Sequence, residues 1–92
     1  MTSKETKRKP TENFNEIVDN DNFLILHNDD IHSFDYVTIA LMEVCEHSFE
    51  QASQCTIITH YKGKCDVKKG GFKTLKPMKE ALINRELNAT ID

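Results

Sequence analysis

The chain has 92 residues, a formal net charge of −3 and an isoelectric point near 5.8. A chain of this length makes one domain with a small core, because it buries only about 60–65% of its unfolded surface. The acidic balance argues against nucleic acid as the main partner. No stretch approaches the roughly 20 consecutive apolar residues of a membrane span, and no secretory signal is evident. We therefore expect a cytoplasmic protein that binds neither nucleic acid nor membrane.

The three cysteines, Cys45, Cys55 and Cys65, indicate free thiols, because their number is odd and no secretory signal accompanies them. A zinc site built from these thiols and His60 is conceivable. However, the spacings lack the close CxxC pair that is typical of structural zinc sites. We expect no metal and no cofactor.

The segment before residue 22 is rich in Lys, Glu, Asn, Thr and Asp, and only Phe14, Ile17 and Val18 are large and apolar. Such a segment cannot offset the entropy lost on ordering. We predict a flexible N-terminal extension over residues 1–21 and a core domain over residues 22–92.

The core begins with a strand over residues 22–27, whose continuous apolar run favours burial on both faces. A polar loop follows to Ser33, which is suited to cap a helix with Asp35 in its first turn. That helix is predicted to end near Glu46 and His47. Its apolar positions are Val37, Ala40, Leu41, Val44 and Cys45.

The second helix is predicted from Ser48, with Gln51 three residues later as in a capping box, to about Tyr61. Gly63 stands where a left-handed C-cap is expected. One face of this helix is unusually small and polar for a core, which leaves it free to line a groove. Its residues are Ala52, Cys55, Thr56 and Thr59.

A short strand is predicted over residues 64–68. A third helix is predicted to start at Thr74–Leu75, so that Pro77 is the third helical residue when Leu75 is counted as the first. A last strand is predicted where Leu87, Ala89 and Ile91 alternate with polar residues. The third helix has an apolar face made of Leu75, Met78, Leu82 and Ile83. Three strands with three helices packed on one face make an α+β domain.

Two polar elements could carry function. Asn28, Asp29 and Asp30 directly follow the first strand, where Asx residues are commonly simple turn formers. They are also acceptors for an ammonium group, whose three donors make charge-assisted bonds. His60, near the end of the second helix, is either structural or a neutral imidazole acceptor.

Catalysis has little support in the sequence. Asp29 and Asp30 are adjacent and do not form an evident acid–base pair. The chain has neither a nucleophile elbow nor a glycine-rich phosphate loop. A metal-dependent enzyme could be imagined from the two aspartates with His27, His32 and His60, but no standard ligand spacing favours it. We predict that the protein is not an enzyme.

Three segments of the chain resemble motifs of the ClpS family, both in sequence and in their distances along the chain. They are residues 24–30 (LILHNDD), 34–37 (FDYV) and 60–64 (HYKGK). The resemblance covers roughly residues 22–91. The implied fold is α+β in the order β-α-α-β-α-β, with a three-stranded antiparallel sheet packed against three helices. The implied function is that of an adaptor. Such adaptors recognise an N-degron, which is a bulky hydrophobic N-terminal residue, and deliver its bearer to a AAA+ Clp unfoldase of ClpA or ClpC type with its ClpP protease.

The resemblance also implies site residues. Asn28, Asp29 and His60 match residues that hold the substrate α-amino group, and Asp30 and His32 match positions at the edge of the site. The family often has threonine at position 32. The matching hydrophobic pocket consists of Phe34, Val37, Thr56, Thr59 and Leu87.

The pocket departs from the family pattern at three of these positions. Phe34 stands where a methionine usually gates the pocket, and Thr56 and Thr59 replace methionine and valine. This implies a more polar pocket. The alternative function is therefore a ClpS-like protein-interaction module with a degenerate pocket and no N-degron specificity.

Overall fold

The computed structural model describes residues 22–92, so the predicted extension over residues 1–21 lies outside the described residues. The described chain folds in the predicted order β-α-α-β-α-β, and the predicted fold class is confirmed. Its elements are β1 (Asn22–His27), α1 (Phe34–Cys45), α2 (Phe49–Lys62), β2 (Lys64–Gly70), α3 (Phe72–Asn84) and β3 (Asn88–Ile91).

The three strands form an antiparallel sheet in the order β2-β1-β3, with β1 in the centre. The register between β1 and β2 shifts after Leu24, so that Leu24 faces Lys68 and Ile25 faces Asp66. Val67 is therefore the extra residue of a bulge. Beyond it the pairing is regular and sets His27 opposite Lys64, at the end of the sheet where the polar loop begins.

The prediction that β1 is buried on both faces is wrong. Leu24 and Leu26 are buried beneath the helices, whereas Phe23 and Ile25 on the other face are only partly buried. The run of apolar residues is continuous because the outer face of the strand is also apolar, with the Lys69 ammonium 5.6 Å from the centre of the Phe23 ring.

The predicted helix caps at Ser33, Ser48 and Gly63 are confirmed. The Ser33 hydroxyl accepts a hydrogen bond from the Tyr36 N–H, and the Ser48 hydroxyl accepts one from the Gln51 N–H. Each satisfies an N–H group that a helix start leaves without a partner. At the other end of α2, Gly63 adopts φ 90°, which costs little only for glycine, and its N–H bonds the Thr59 carbonyl.

The third helix begins earlier than the sequence predicts. It starts at Phe72, with the N–H groups of Thr74 and Leu75 bonded to the Gly71 carbonyl, so Pro77 is its sixth residue rather than its third. The missing Pro77 N–H would have bonded a carbonyl in the exposed first turn, where water can replace it. β2 correspondingly extends to Gly70 rather than ending at Lys68.

The core lies between the helices and the inner face of the sheet. Most predicted apolar positions belong to it. Ile83, which is predicted on the apolar face of the third helix, does not, since it is 46% exposed. No helix within residues 22–92 is long and apolar enough to cross a membrane. The core residues are Leu24, Leu26, Ala40, Leu41, Cys45, Ala52, Cys55, Cys65, Val67, Leu75, Leu82, Leu87 and Ala89.

Candidate functional site

Strand pairing brings the two polar motifs together. The Asn28 N–H extends the β1–β2 ladder by donating to the Gly63 carbonyl at 2.9 Å. Gly63 follows directly on α2, so the last turn of that helix, with His60, lies beside the loop that starts at Asn28. The left-handed turn at Gly63 and the register of β1 therefore place both motifs at one end of the sheet.

A cavity of about 260 Å³ opens at this junction. Every predicted site residue except Asp30 lines it, and Asp30 is exposed and lies outside the lining. Three lining residues were not predicted: Leu26, His27 and Ser33. The sequence indicates only structural roles for Leu26 and Ser33, as a strand residue and a helix cap. The complete lining is Leu26, His27, Asn28, Asp29, His32, Ser33, Phe34, Val37, Thr56, Thr59, His60 and Leu87.

The cavity has a closed base and an open mouth. Thr56, Thr59 and Leu87 are each at most 5% exposed, whereas Phe34 at the start of α1 is 45% exposed. Sites for drug-sized ligands have volumes of about 300–1,000 Å³. A cavity slightly below that range, open at one side, suits a single large side chain whose remaining groups stay at the mouth.

The threonine hydroxyls at the base are used within the protein. The Thr56 hydroxyl donates to the Ala52 carbonyl at 2.8 Å, and the Thr59 hydroxyl donates to the Cys55 carbonyl at 2.7 Å. The Thr56 oxygen also lies 2.9 Å from the hydroxyl oxygen of Thr38, which is buried and was not predicted. The two threonines therefore shorten the wall of the cavity without offering it unpaired hydroxyls. The prediction of a more polar pocket is corrected accordingly, because both hydroxyls donate their hydrogen bonds within the protein.

Asp29 is the anionic group of the site. Its Oδ1 accepts hydrogen bonds from the N–H groups of Ile31 at 2.9 Å and His32 at 3.0 Å. The His32 Nδ1 lies 3.1 Å from its Oδ2. Desolvation alone raises the pKa of Asp29, but the bonds from His32 and Ile31 outweigh it and lower the pKa below its ordinary value of 3.8. Asp29 is therefore ionised at neutral pH.

This arrangement suits a cation that carries an apolar group. An ionised carboxylate has about four lone-pair positions, and the loop and His32 leave part of Oδ2 for a ligand. Asn28 and His60 line the same cavity as the apolar side chains of Val37 and Leu87. An ammonium group at the mouth and an apolar side chain at the base would both be matched.

Metal binding and thiol chemistry have less support. Within residues 22–92, no three His, Cys, Asp or Glu side chains are grouped so that they could hold a metal ion. The three cysteines are free and buried. Burial raises the pKa of Cys45 to about 11 and that of Cys65 to about 12, and it also raises the pKa of Cys55. These thiols are therefore protonated, and hence weak nucleophiles, at neutral pH.

Comparison with known proteins identifies a family and similar solved structures, and it gives one negative result. The family model for ClpS, the ATP-dependent Clp protease adaptor protein, matches residues 18–90. Among solved structures, Agrobacterium tumefaciens ClpS2 bound to L-phenylalaninamide matches with a TM-score of 0.71 and 23% sequence identity, over 77% of this chain and 93% of that chain. At this level of identity the likeness shows a common fold. No curated protein matches the chain.

Proposed function

This chain belongs to the ClpS family of ATP-dependent Clp protease adaptor proteins, and on that basis we propose that it recognises proteins whose first residue is bulky and hydrophobic. We further propose that it delivers them to a AAA+ Clp unfoldase, of ClpA or ClpC type, with ClpP. The function is that of an adaptor and not of an enzyme. Residues 22–92 would form the recognition domain, and residues 1–21 an extension used in delivery.

One observation carries the proposal: an ionised carboxylate and an apolar pocket meet in a single cavity. The α-ammonium of a chain start has three donors, and Asn28, Asp29 and His60 are the proposed acceptors. The first side chain would enter the pocket of Phe34, Val37, Thr56, Thr59 and Leu87.

The energies explain why both parts of the site are needed. Burial of a Leu or Phe side chain contributes about 1.5–3 kcal/mol. Each bond to the charged ammonium adds about 1.5–3 kcal/mol before association entropy is subtracted. Neither part alone overcomes the cost of association. An internal Phe, which has no ammonium, and a chain that starts with Ala, which has no large side chain, would therefore both bind weakly.

The ligand of the structural neighbour is consistent with this chemistry. L-phenylalaninamide, bound to Agrobacterium tumefaciens ClpS2, combines an α-amino group, a phenyl side chain and an amide that stands in for the next peptide bond. For the first two of these groups we propose counterparts in this chain: the polar acceptors at the cavity mouth and the apolar pocket below them.

The alternative proposal is a ClpS-like interaction module without N-degron specificity. The short wall formed by Thr56 and Thr59 is the observation that favours it. A pocket without the longer side chains of the family makes fewer contacts with a bound side chain and therefore binds it less tightly. Binding that depends on the first residue separates the two proposals.

The test is a fluorescence anisotropy titration with labelled peptides that differ only in residue 1. We expect Phe, Leu, Tyr and Trp to bind far more tightly than Ala, Asp or Lys. Equal affinities across this panel would refute the proposed function and leave the interaction module.

Two phenylalanines provide a matched pair of variants for this titration. Phe34 and Phe49 are each the first residue of a helix, each follows a capping serine, and they are 45% and 62% exposed. Only Phe34 lines the cavity. Phe34→Ala should weaken binding of the Phe peptide, whereas Phe49→Ala should not.

A further inference from the structure

We propose that His32 is a positioning residue, which holds the Asp29 carboxylate through its Nδ1–H. By stacking on Tyr36, it also couples the amine-binding loop (residues 28–33) to the turn that carries Leu87. This inference rests on the proposed function, because it assigns Asp29 to the ligand's ammonium. His32 stands at a position where the ClpS family often has threonine.

The contact of His32 with Asp29 has a defined polarity. The His32 Nδ1 lies 3.2 Å from Oδ1 and 3.1 Å from Oδ2 of the carboxylate. An ionised carboxylate only accepts hydrogen bonds, so Nδ1 must carry the hydrogen. In the neutral ring, Nε2 is then the bare nitrogen. The His32 side chain is 12% exposed and that of Asp29 22%, so the pair is partly shielded from water.

The bond gives Asp29 a restraint that the backbone alone does not provide. The two backbone N–H groups bind Oδ1 only, and a carboxylate held through one oxygen can still tilt. The ring of His32 reaches both oxygens and fixes the plane of the carboxylate. The remaining lone pairs of Oδ2 then point in one direction, which prepares the carboxylate for an ammonium donor.

Tyr36 packs against His32. The two rings are stacked, with centroids 4.7 Å apart and planes 18° apart. The Tyr36 hydroxyl donates to the Arg85 carbonyl at 2.8 Å. Arg85 is the C-cap of α3 and in turn binds the Glu43 carboxylate on α1 at 2.6 Å.

The Arg85 carbonyl belongs to the turn that sets one wall of the pocket. After Arg85 comes Glu86, whose φ of 67° is left-handed, and then Leu87, which lines the cavity. Asp29, His32, Tyr36 and Arg85 thus form a continuous series of contacts from the amine-binding loop to this wall. A shift of the Tyr36 ring would disturb both parts of the site.

Two substitutions of His32 separate a positioning role from simple packing. Asparagine places an amide N–H close to the position of Nδ1, whereas leucine fills space without a donor. For a peptide with a free N-terminal Phe, His32→Leu should reduce affinity about five- to tenfold, and His32→Asn should stay within about twofold of the wild type. Thermal melting of both variants checks that the fold is retained.

A measurement without ligand tests the contact itself. The carboxyl ¹³C signal of Asp29, followed through a pH titration, reports its pKa. His32→Leu should raise that pKa towards its ordinary value, since it removes one of the bonds that lower it. Tyr36→Phe, which keeps the ring, should leave the Asp29 titration unchanged, whereas Tyr36→Leu, which removes the stack, should shift it.

The outcomes distinguish failure of the two proposals. If the wild type binds the Phe peptide and His32→Leu binds it equally well, the positioning role is wrong and the proposed function stands. If His32→Asn is as weak as His32→Leu, the Nδ1 donor is not the cause and the positioning role is again wrong. If the wild type shows no preference for the Phe peptide, the proposed function fails and the role assigned to His32 fails with it.

Discussion

The hydrogen bond between Thr38 and Thr56 at the base of the cavity makes a quantitative prediction. The Thr56 hydroxyl gives its hydrogen to the Ala52 carbonyl, so the hydrogen in the 2.9 Å bond between the two threonines comes from Thr38. Both side chains are at most 5% exposed. Replacing either by valine keeps the shape of the side chain and removes one partner.

The two single substitutions should differ in cost. Thr56→Val leaves the buried Thr38 hydroxyl without its acceptor, which costs about 1–3 kcal/mol. Thr38→Val leaves Thr56 still bonded to Ala52, so only a net hydrogen bond of about 0.5–1.5 kcal/mol is lost. The double variant has no unpaired hydroxyl and should be more stable than the sum of the single losses by about 1 kcal/mol.

Urea unfolding of the wild type, both single variants and the double variant completes this cycle. Thr74→Val, at an exposed position of α3, is the control and should change the unfolding free energy by less than about 0.5 kcal/mol. Strictly additive losses would contradict the hydrogen-bond arrangement. Because neither hydroxyl is offered to the cavity, Thr56→Val should also change the affinity for a Phe peptide by less than about twofold.

Three further predictions concern selectivity, delivery and pH. Thr56→Met should lengthen the short wall and raise the preference for Leu over Ile as the first residue; an unchanged ratio of the two affinities would show that residue 56 does not contact the ligand. Deleting residues 1–18 should leave peptide affinity and melting temperature nearly unchanged but slow degradation of a degron-tagged reporter by the Clp protease, so normal degradation would refute a role in delivery. His47 is 6% exposed, and neither ring nitrogen has a hydrogen-bond partner among residues 22–92. Burial lowers the pKa of His47 below the ordinary value of 6.5, so the folded state takes up this proton less readily than the unfolded chain. The contribution of neutral His47 to stability should therefore be complete above pH 6.5 and be lost on acidification. Urea unfolding at pH 7 and pH 5 should show a smaller loss for His47→Gln than for the wild type, and equal losses would contradict the prediction.

Local signals predicted most of the fold. Ser33, Ser48 and Gly63 act through bonds to neighbouring residues, so their roles could be read from short segments. The start of α3 could not, because Gly71 has no side chain that caps and Pro77 is compatible with more than one position near a helix start. The outer face of β1 was misjudged because an apolar run does not reveal which face is covered by helices.

The residues of the candidate site were proposed through the family resemblance, and the structure shows that all of them except Asp30 line one cavity. The apolar and polar positions come together because β1 pairs with β2 and carries Asn28 to Gly63. Thr38 could not be anticipated, since it meets Thr56 only when α1 packs on α2. The contact of His32 with Asp29 had a local signal, the spacing of three residues across a turn, that sequence reasoning did not use.

The central claim is that Asn28, Asp29 and His60 bind a charged α-ammonium, and one comparison tests it most directly. The affinity of a peptide that starts with Phe is measured before and after N-terminal acetylation, with wild type, Asp29→Asn and the control Asp35→Asn. Asparagine at position 29 keeps an oxygen for the loop N–H groups and removes the charge. Asp35 lies in the first turn of α1, outside the cavity lining.

Acetylation removes the charge and two donors and leaves the acceptors unpaired, so it should cost at least about 3 kcal/mol, or more than about a hundredfold in affinity. Asp29→Asn should lose most of the binding of the free peptide, and Asp35→Asn should retain it. If acetylation changes the wild-type affinity by less than about twofold, the ammonium site does not exist and the protein is an interaction module without N-degron specificity.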